Sequence, residues 1–163
     1  MKKRTNEPVR QVQYAALPYR AKDKSQLEVM LVTSRGTRRW IIPKGWPKRG
    51  KPPHDAAAEE AFEEAGVVGK VGKRSIGSFP YDKILEKGTT ASCHVHVFPL
   101  RVTRQHKDWP EKRERKVAWY PPAEAVRFCR GSSLASHHSE ICEEAMSLKF
   151  RSFQFSALKS RRS

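Results

Sequence analysis

Long apolar runs are absent from this sequence, and cysteine and acidic residues are scarce. No stretch approaches the roughly 18 apolar residues of a membrane-spanning helix, and the basic N-terminus MKKRTNEPVR is not followed by an apolar signal-peptide segment. The three cysteines, Cys93, Cys129 and Cys142, are too irregularly spaced to indicate a disulfide framework or a zinc knuckle. We therefore expect a cytoplasmic protein that does not span a membrane.

The shortage of acidic residues leaves a large positive charge. Lysine and arginine number 33 against 17 aspartates and glutamates, which gives a formal net charge of +16. Such a surplus concentrates polyanions near the surface. Charge alone leaves nucleic acid, polyphosphate and an anionic membrane surface open as ligands, and basic tails also carry charge without any ligand.

The length fits one domain. A chain of 163 residues can bury one core, and we place the domain at residues 10–148, between basic tails at 1–9 and 149–163.

The apolar pattern also predicts the secondary structure. It predicts strands at 12–17, 27–33, 39–42, 67–71, 75–81, 92–102 and 117–120. Helices are predicted at 55–65, from 121 or 122 to 128, and at 137–148, the first with Asp55 as its N-cap and Gly66 at its end. The proline-rich segment PKGWPKRGKPP before the first helix is predicted to be a stiff loop.

Four glutamates are concentrated near the end of the first predicted helix. Glu60, Glu63 and Glu64 share one helical face, and Glu59 flanks them. Like charges at this spacing, close to the negative end of the helix dipole, destabilise a helix unless a cation lies on them. That cation is either a lysine or arginine from a neighbouring element, or Mg²⁺ or Mn²⁺, which prefer carboxylate oxygens.

The loop before the helix favours phosphate chemistry. It carries four basic residues beside glycines whose backbone amides are accessible, next to the acidic helix: Lys44, Lys48, Arg49 and Lys51. An anion receptor beside a metal platform is what attack of water on a phosphoanhydride requires.

The segment from Gly45 to Val67, GWPKRGKPPHDAAAEEAFEEAGV, resembles the Nudix box. That pattern is Gly, five residues, Glu, seven residues, Arg-Glu, an aliphatic residue, any residue, Glu-Glu, any residue, Gly and an aliphatic residue. Six residues match in register, and Ala61 stands at the first aliphatic position: Gly45, Glu60, Glu63, Glu64, Gly66 and Val67.

Two positions depart from the family pattern. Lys51 stands where the family has its first Glu, and Glu59 stands where it has Arg. We interpret the exchange as a reciprocal charge swap that keeps a salt bridge, with a degenerate, weakly metal-binding box as the alternative.

The resemblance implies a Nudix-type α/β/α sandwich, a mixed sheet between helices, and hydrolysis of an X-O-P-O-P linkage with Mg²⁺ or Mn²⁺. By that resemblance Glu60, Glu63 and Glu64 are metal ligands and catalytic residues, Glu60 or Glu63 activates water, and the Gly45 carbonyl is a further ligand. A later carboxylate, Glu111 or Glu114, could complete the set.

Within the Nudix group the chain is most similar to diphosphoinositol polyphosphate phosphohydrolases, in LVTSRGTRRWIIPKG, AGVVGKVGK and DWPEKRERKVAWYPPAEAVRFC. This favours a polyphosphorylated small molecule as the partner, with nucleic acid less favoured and no membrane partner expected. The favoured substrates are diphosphoinositol polyphosphates or dinucleoside polyphosphates. Nucleoside triphosphates, RNA 5′ ends and a non-catalytic phosphate-binding or nucleic-acid-binding module remain alternatives. The expected substrate-binding residues are Arg20, Ser34, Arg35, Arg38, Arg39, Lys44 and Lys48.

Overall fold

The computed structural model describes residues 11–24, 26–84 and 90–130. They form eight strands and two helices. The strands are β1 (Gln11–Ala21), β2 (Leu27–Thr33), β3 (Trp40–Ile41), β4 (Lys44–Gly45), β5 (Val67–Val71), β6 (Gly77–Ile84), β7 (Thr90–Gln105) and β8 (Val117–Tyr120), and the helices are α1 (Pro53–Ala65) and α2 (Pro122–Arg130). The helix predicted at 137–148 and both tails lie outside the described residues.

All eight strands belong to one mixed sheet. Its main path runs β3-β2-β1-β7-β5, while β4 pairs with β1, β6 with β7 and β8 with β2. Only the β1–β7 pair among these is parallel. The β1–β7 register sets Tyr14 opposite His96 and Ala16 opposite Phe98.

Alternating side chains make two cores, one on each face of the sheet. On one face the alanines of α1 (Ala57, Ala61 and Ala65) pack with Met30 and Phe98. On the other face Ala125 and Cys129 of α2 pack with residues of β1, β2, β6 and β7 such as Leu17, Leu31, Phe79 and Val95. Helices therefore cover both faces, and the α/β/α sandwich expected from the sequence is confirmed.

The predicted strands differ in how well their bounds agree with the structure. The bounds of β2, β5 and β8 agree with the prediction, whereas β1 and β7 extend several residues further. The extra end of β7 carries the exposed charged residue Arg104, which the apolar pattern could not include. The strand predicted at 39–42 is reduced to the two residues of β3.

Two predictions at the start of α1 were wrong. Asp55 is not the N-cap: the helix begins at Pro53, and Pro52 precedes it without a side-chain cap bond. A proline at the first helical position has its φ preset and no N–H to satisfy, so the helix can begin before the first capping residue. Asp55 instead lies in the first turn, where its charge suits the helix dipole. The preceding loop is also shorter than predicted, because Lys44 and Gly45 pair with β1 as β4.

The predicted end of α1 is confirmed. Gly66 has φ of 70°, a left-handed conformation that a glycine adopts without strain, and its N–H donates to the Phe62 carbonyl at 2.9 Å. Within the described part of the chain, no helix is both long and apolar enough to cross a membrane.

Candidate active site

The candidate site lies where β4 runs beside α1. Pairing with β1 fixes Gly45 opposite Tyr14, and this brings the Gly45 backbone against the side chain of Glu60. A Cβ at position 45 would overlap the Glu60 carboxylate. Gly45 is therefore required by close approach, because a larger residue would displace one of the predicted ligands.

The four glutamates differ in their exposure. The side chain of Glu64 is 6% exposed and that of Glu60 is 12% exposed, whereas Glu59 and Glu63 are about one third exposed. Burial raises the pKa of Glu60, against the opposing effect of its hydrogen bond with Lys48. We call the surface of α1 that carries Glu59, Glu60, Glu63 and Glu64 the acidic face. It has a buried end at Glu64 and a solvent-facing end at Glu59.

A lysine from the preceding loop lies on the centre of this acidic face. The Lys48 ammonium is 2.8 Å from a carboxylate oxygen of Glu63, 3.2 Å from Glu60 and 3.4 Å from Glu59. Burial alone would lower the pKa of Lys48, but its hydrogen bonds with Glu63 and Glu60 outweigh that effect and raise it. Lys48 was expected to bind substrate, and in this structure its charge is directed to the glutamates.

Lys51 lies on the solvent-facing end. Its ammonium is hydrogen-bonded to Glu59, and this bond is the main cause of the lowered pKa of Glu59. The two residues that depart from the Nudix box are therefore in contact, as a swapped salt bridge requires.

The buried end is neutralised by a residue that the sequence analysis missed. Arg115 places Nη2 at 2.5 Å from Glu64, Nε at 2.5 Å from Glu111, and Nη1 at 3.0 Å from the Thr33 carbonyl. The Lys44 backbone N–H also donates to Glu64, at 3.2 Å. Burial nevertheless raises the pKa of Glu64 to about 7, against the opposing effect of Arg115. No local pattern links Glu64 to Arg115, which lies 51 residues further along the chain.

The loop 106–116 brings Glu111 to the acidic face. Its backbone N–H groups at His106 and Glu111 donate to the carbonyls of Gly66 and Glu63, at 2.8 and 3.0 Å. These bonds satisfy carbonyl groups that a helix end leaves unpaired. Glu111 also raises the pKa of Glu60 and of Glu64, which reflects its position among them. Glu114 points instead to Arg35, at 3.5 Å. Of the two late carboxylates, Glu111 is the one that joins the site.

Several residues predicted to bind substrate lie in the turn between β2 and β3. The Arg38 side chain donates to the Glu114 carbonyl at 2.5 Å, and Arg38 has a φ of 55°. Ser34 accepts the Arg39 backbone N–H at 3.0 Å, and its hydroxyl is therefore part of the turn. The turn is thus attached to the loop that carries Glu111. Arg20 differs, because it is paired with Glu28 at 2.8 Å and stacks over the Trp119 ring.

The acidic face suits a hard divalent cation in its chemistry, since carboxylate oxygens are the ligands that Mg²⁺ and Mn²⁺ prefer. Three of its carboxylates already surround one positive charge, that of Lys48. Among the described residues, however, no three acidic, histidine or cysteine side chains converge as a preformed metal-ligand set. The donors therefore fit a metal, provided that the side chains rearrange around it.

Comparison with known proteins identifies the family. Residues 9–139 match the model of the NUDIX domain. The chain belongs to the Nudix family.

Curated Nudix proteins resemble the chain over part of their length. It is 32% identical over 109 residues to Nudix hydrolase 12, mitochondrial, of Arabidopsis thaliana, which covers 65% of this chain and 54% of that protein. It is 37% identical over 103 residues to diphosphoinositol polyphosphate phosphohydrolase 3-beta of Bos taurus, covering 61% and 58%. The chain thus spans little more than half of each relative. Because one of these names includes a mitochondrial location, the cytoplasmic location stays a prediction.

The fold is shared with solved Nudix structures. A binary complex of the C. elegans Ap4A hydrolase superposes with a TM-score of 0.60 at 17% identity, covering 90% of this chain and 98% of that one. At this identity the likeness concerns the fold alone.

Proposed function

We propose that this Nudix protein is a divalent-metal-dependent hydrolase that cleaves a phosphoanhydride bond of the X-O-P-O-P type. The main supporting observation is that the carboxylates of Glu60 and Glu63 both contact one cation, the Lys48 ammonium, beside the backbone of Gly45. Glu64 and Glu111 extend this set through their shared arginine.

Glu60, Glu63 and Glu64, with the Gly45 carbonyl, would hold Mg²⁺ or Mn²⁺, and Glu111 is the candidate further carboxylate. When bound, the metal would lower the pKa of the attacking water and offset the charge of the phosphates. Glu60 or Glu63 would accept the proton of that water, since both carboxylates face the same position.

The favoured substrates are diphosphoinositol polyphosphates and dinucleoside polyphosphates. Arg35, Arg38 and Arg39 are exposed on the turn between β2 and β3, which is attached to the loop that carries Glu111. Arginine recognises phosphate through paired N–H donors, so this turn is suited to a crowded polyphosphate. The Bos taurus relative named above is a diphosphoinositol polyphosphate phosphohydrolase, and the proposed substrate class agrees with that name.

The test is hydrolysis of a substrate panel with Mg²⁺ or Mn²⁺: a diphosphoinositol polyphosphate, diadenosine polyphosphates, nucleoside triphosphates and 5′-triphosphate RNA. Glu63→Gln should lower turnover of the preferred substrate by about a hundredfold or more, because the loss of a residue that merely supports a metal ligand already costs about 10- to 100-fold. Glu124→Gln is the matched control, since Glu124 is exposed on α2 and outside the site.

Turnover of RNA or nucleoside triphosphates alone would reject the favoured substrates, but it would still support metal-dependent hydrolysis of a phosphoanhydride bond. Absence of metal-dependent turnover on the whole panel would reject the hydrolase and favour a binding protein. RNA binding that persists with EDTA and weakens steeply with salt would identify that protein as a nucleic-acid binder.

A further inference from the structure

Lys48 makes a set of contacts that a substrate-binding lysine does not need. Its ammonium has three N–H donors, and three carboxylates lie within 3.4 Å of it, those of Glu59, Glu60 and Glu63. Two of these three residues are proposed metal ligands. The ammonium therefore holds oxygen atoms that a divalent cation would have to use.

The position of Lys48 is set by a rigid backbone. The Lys51 N–H donates to the Lys48 carbonyl at 3.0 Å, and Pro47, Pro52 and Pro53 restrict the chain on both sides. The side chain is 24% exposed, which is low for a lysine in a loop between a strand and a helix. Lys48 is thus anchored over the acidic face, and its neighbour Arg49 is exposed in the same loop.

Without Lys48, the acidic face would repel itself. Glu59 and Glu63 are four residues apart on α1, and Glu60 and Glu63 three apart, so their like charges oppose the helix. No basic residue lies in the last turn of α1 to offset them. The cation must therefore come from outside the helix, and Lys48 is the residue that contacts all three.

We propose that Lys48 is a built-in counter-ion of the metal site, which holds Glu60 and Glu63 together before the metal binds and is displaced from them when it does. The inference rests on the proposed function, since it assumes that these carboxylates take a divalent metal. It gives Lys48 two successive partners. The displaced ammonium stays beside the site on its flexible side chain, where it can meet the phosphates of a substrate.

The decisive measurement is Mn²⁺ affinity without substrate, by isothermal titration calorimetry on the full chain. Lys48→Met removes the ammonium that competes with the metal, so this variant should bind Mn²⁺ about tenfold more tightly than the wild type. A tenfold change corresponds to the free energy of about two or three partly exposed ion pairs, which the metal no longer has to break. Arg49→Met is the matched control, because it removes the same charge from the same loop without a contact to the glutamates. It should change the affinity by less than about threefold.

Thermal unfolding gives a second, independent readout. In EDTA, Lys48→Met should unfold at a lower temperature than the wild type, because its glutamates lack a cation, and saturating Mn²⁺ should remove most of that difference. Arg49→Met should unfold like the wild type in both conditions. Lys48→Gln supplies the same comparison if Lys48→Met does not fold.

The outcomes separate this inference from the proposed function. If Lys48→Met binds Mn²⁺ no more tightly than Arg49→Met while the wild type binds it, Lys48 is no competitor and the inference fails alone. If no variant and no wild-type protein binds Mn²⁺, the inference and the metal site of the proposed function fail together. Weaker binding by Lys48→Met also overturns the inference, because it would mean that the lysine supports the metal.

Discussion

The two ends of the acidic face of α1 are neutralised in opposite ways. At the solvent-facing end, Glu59 is paired with Lys51, whose side chain is 47% exposed and lies eight residues away in the sequence. At the buried end, Glu64 is paired with Arg115, and both side chains are 6% exposed. A carboxylate at one end of the helix face is thus paired with a cation close in sequence and partly exposed to solvent. A carboxylate at the other end is paired with a buried cation that is distant in sequence.

This difference determines how much each pair matters. An exposed pair is screened by water and each partner can be solvated alone, so its loss has a small effect. A buried carboxylate has no such alternative, and its partner also holds Glu111 and the Thr33 carbonyl. Arg115 therefore joins α1, β2 and the loop 106–116, whereas Lys51 stabilises one surface residue.

The largest expected effect comes from the buried end. Arg115→Met should lower the free energy of unfolding by about 3 to 5 kcal/mol, because it leaves Glu64 buried without its cation. The measurement is urea unfolding in EDTA. Arg35→Met is the matched control, since its ion pair with Glu114 is exposed on both sides, and it should lose less than about 1 kcal/mol. A loss of under 1 kcal/mol for both variants would mean that burial does not distinguish the two ends.

The second prediction concerns pH. Burial raises the pKa of Glu64 from 4.5 to about 7. Between these two pH values the native state therefore keeps a proton on Glu64 that the unfolded chain releases. The stability from this group is complete below the unfolded pKa and is lost as pH rises through the native pKa. Without Arg115 the native pKa rises further, and the deficit of Arg115→Met should therefore be larger at about pH 8 than at about pH 5.

The control for this pH dependence is Glu64→Gln, combined with Arg115→Met. A glutamine carries no proton that changes over this range, so the stability difference between Glu64→Gln and the double variant should be nearly constant with pH. If the deficit of Arg115→Met in the presence of Glu64 does not change between the two pH values, the carboxylate is not the group that Arg115 serves.

The same contrast explains what could be predicted from the sequence. Helical spacing indicated that Glu60, Glu63 and Glu64 share a face, and the family pattern aligned Lys51 with Glu59, because these relations are local. The contacts of Arg115 depend on how β2, α1 and the loop 106–116 meet in space, and no periodicity records that. The choice of Glu111 over Glu114 was open for the same reason, since it is set by a backbone hydrogen bond to Glu63.

The smallest expected effect comes from the solvent-facing end. Lys51→Glu and Glu59→Arg should each lower the free energy of unfolding by about 0.2 to 1 kcal/mol, since each puts like charges together at a partly exposed pair. The double variant should recover only part of the loss. In the wild type Lys48 is 3.4 Å from Glu59, so an arginine at position 59 would place two positive charges together. Urea unfolding of the four proteins gives the coupling energy. Strictly additive losses would show that Lys51 and Glu59 do not form a swapped salt bridge, and would leave a degenerate Nudix box as the remaining interpretation of these two positions.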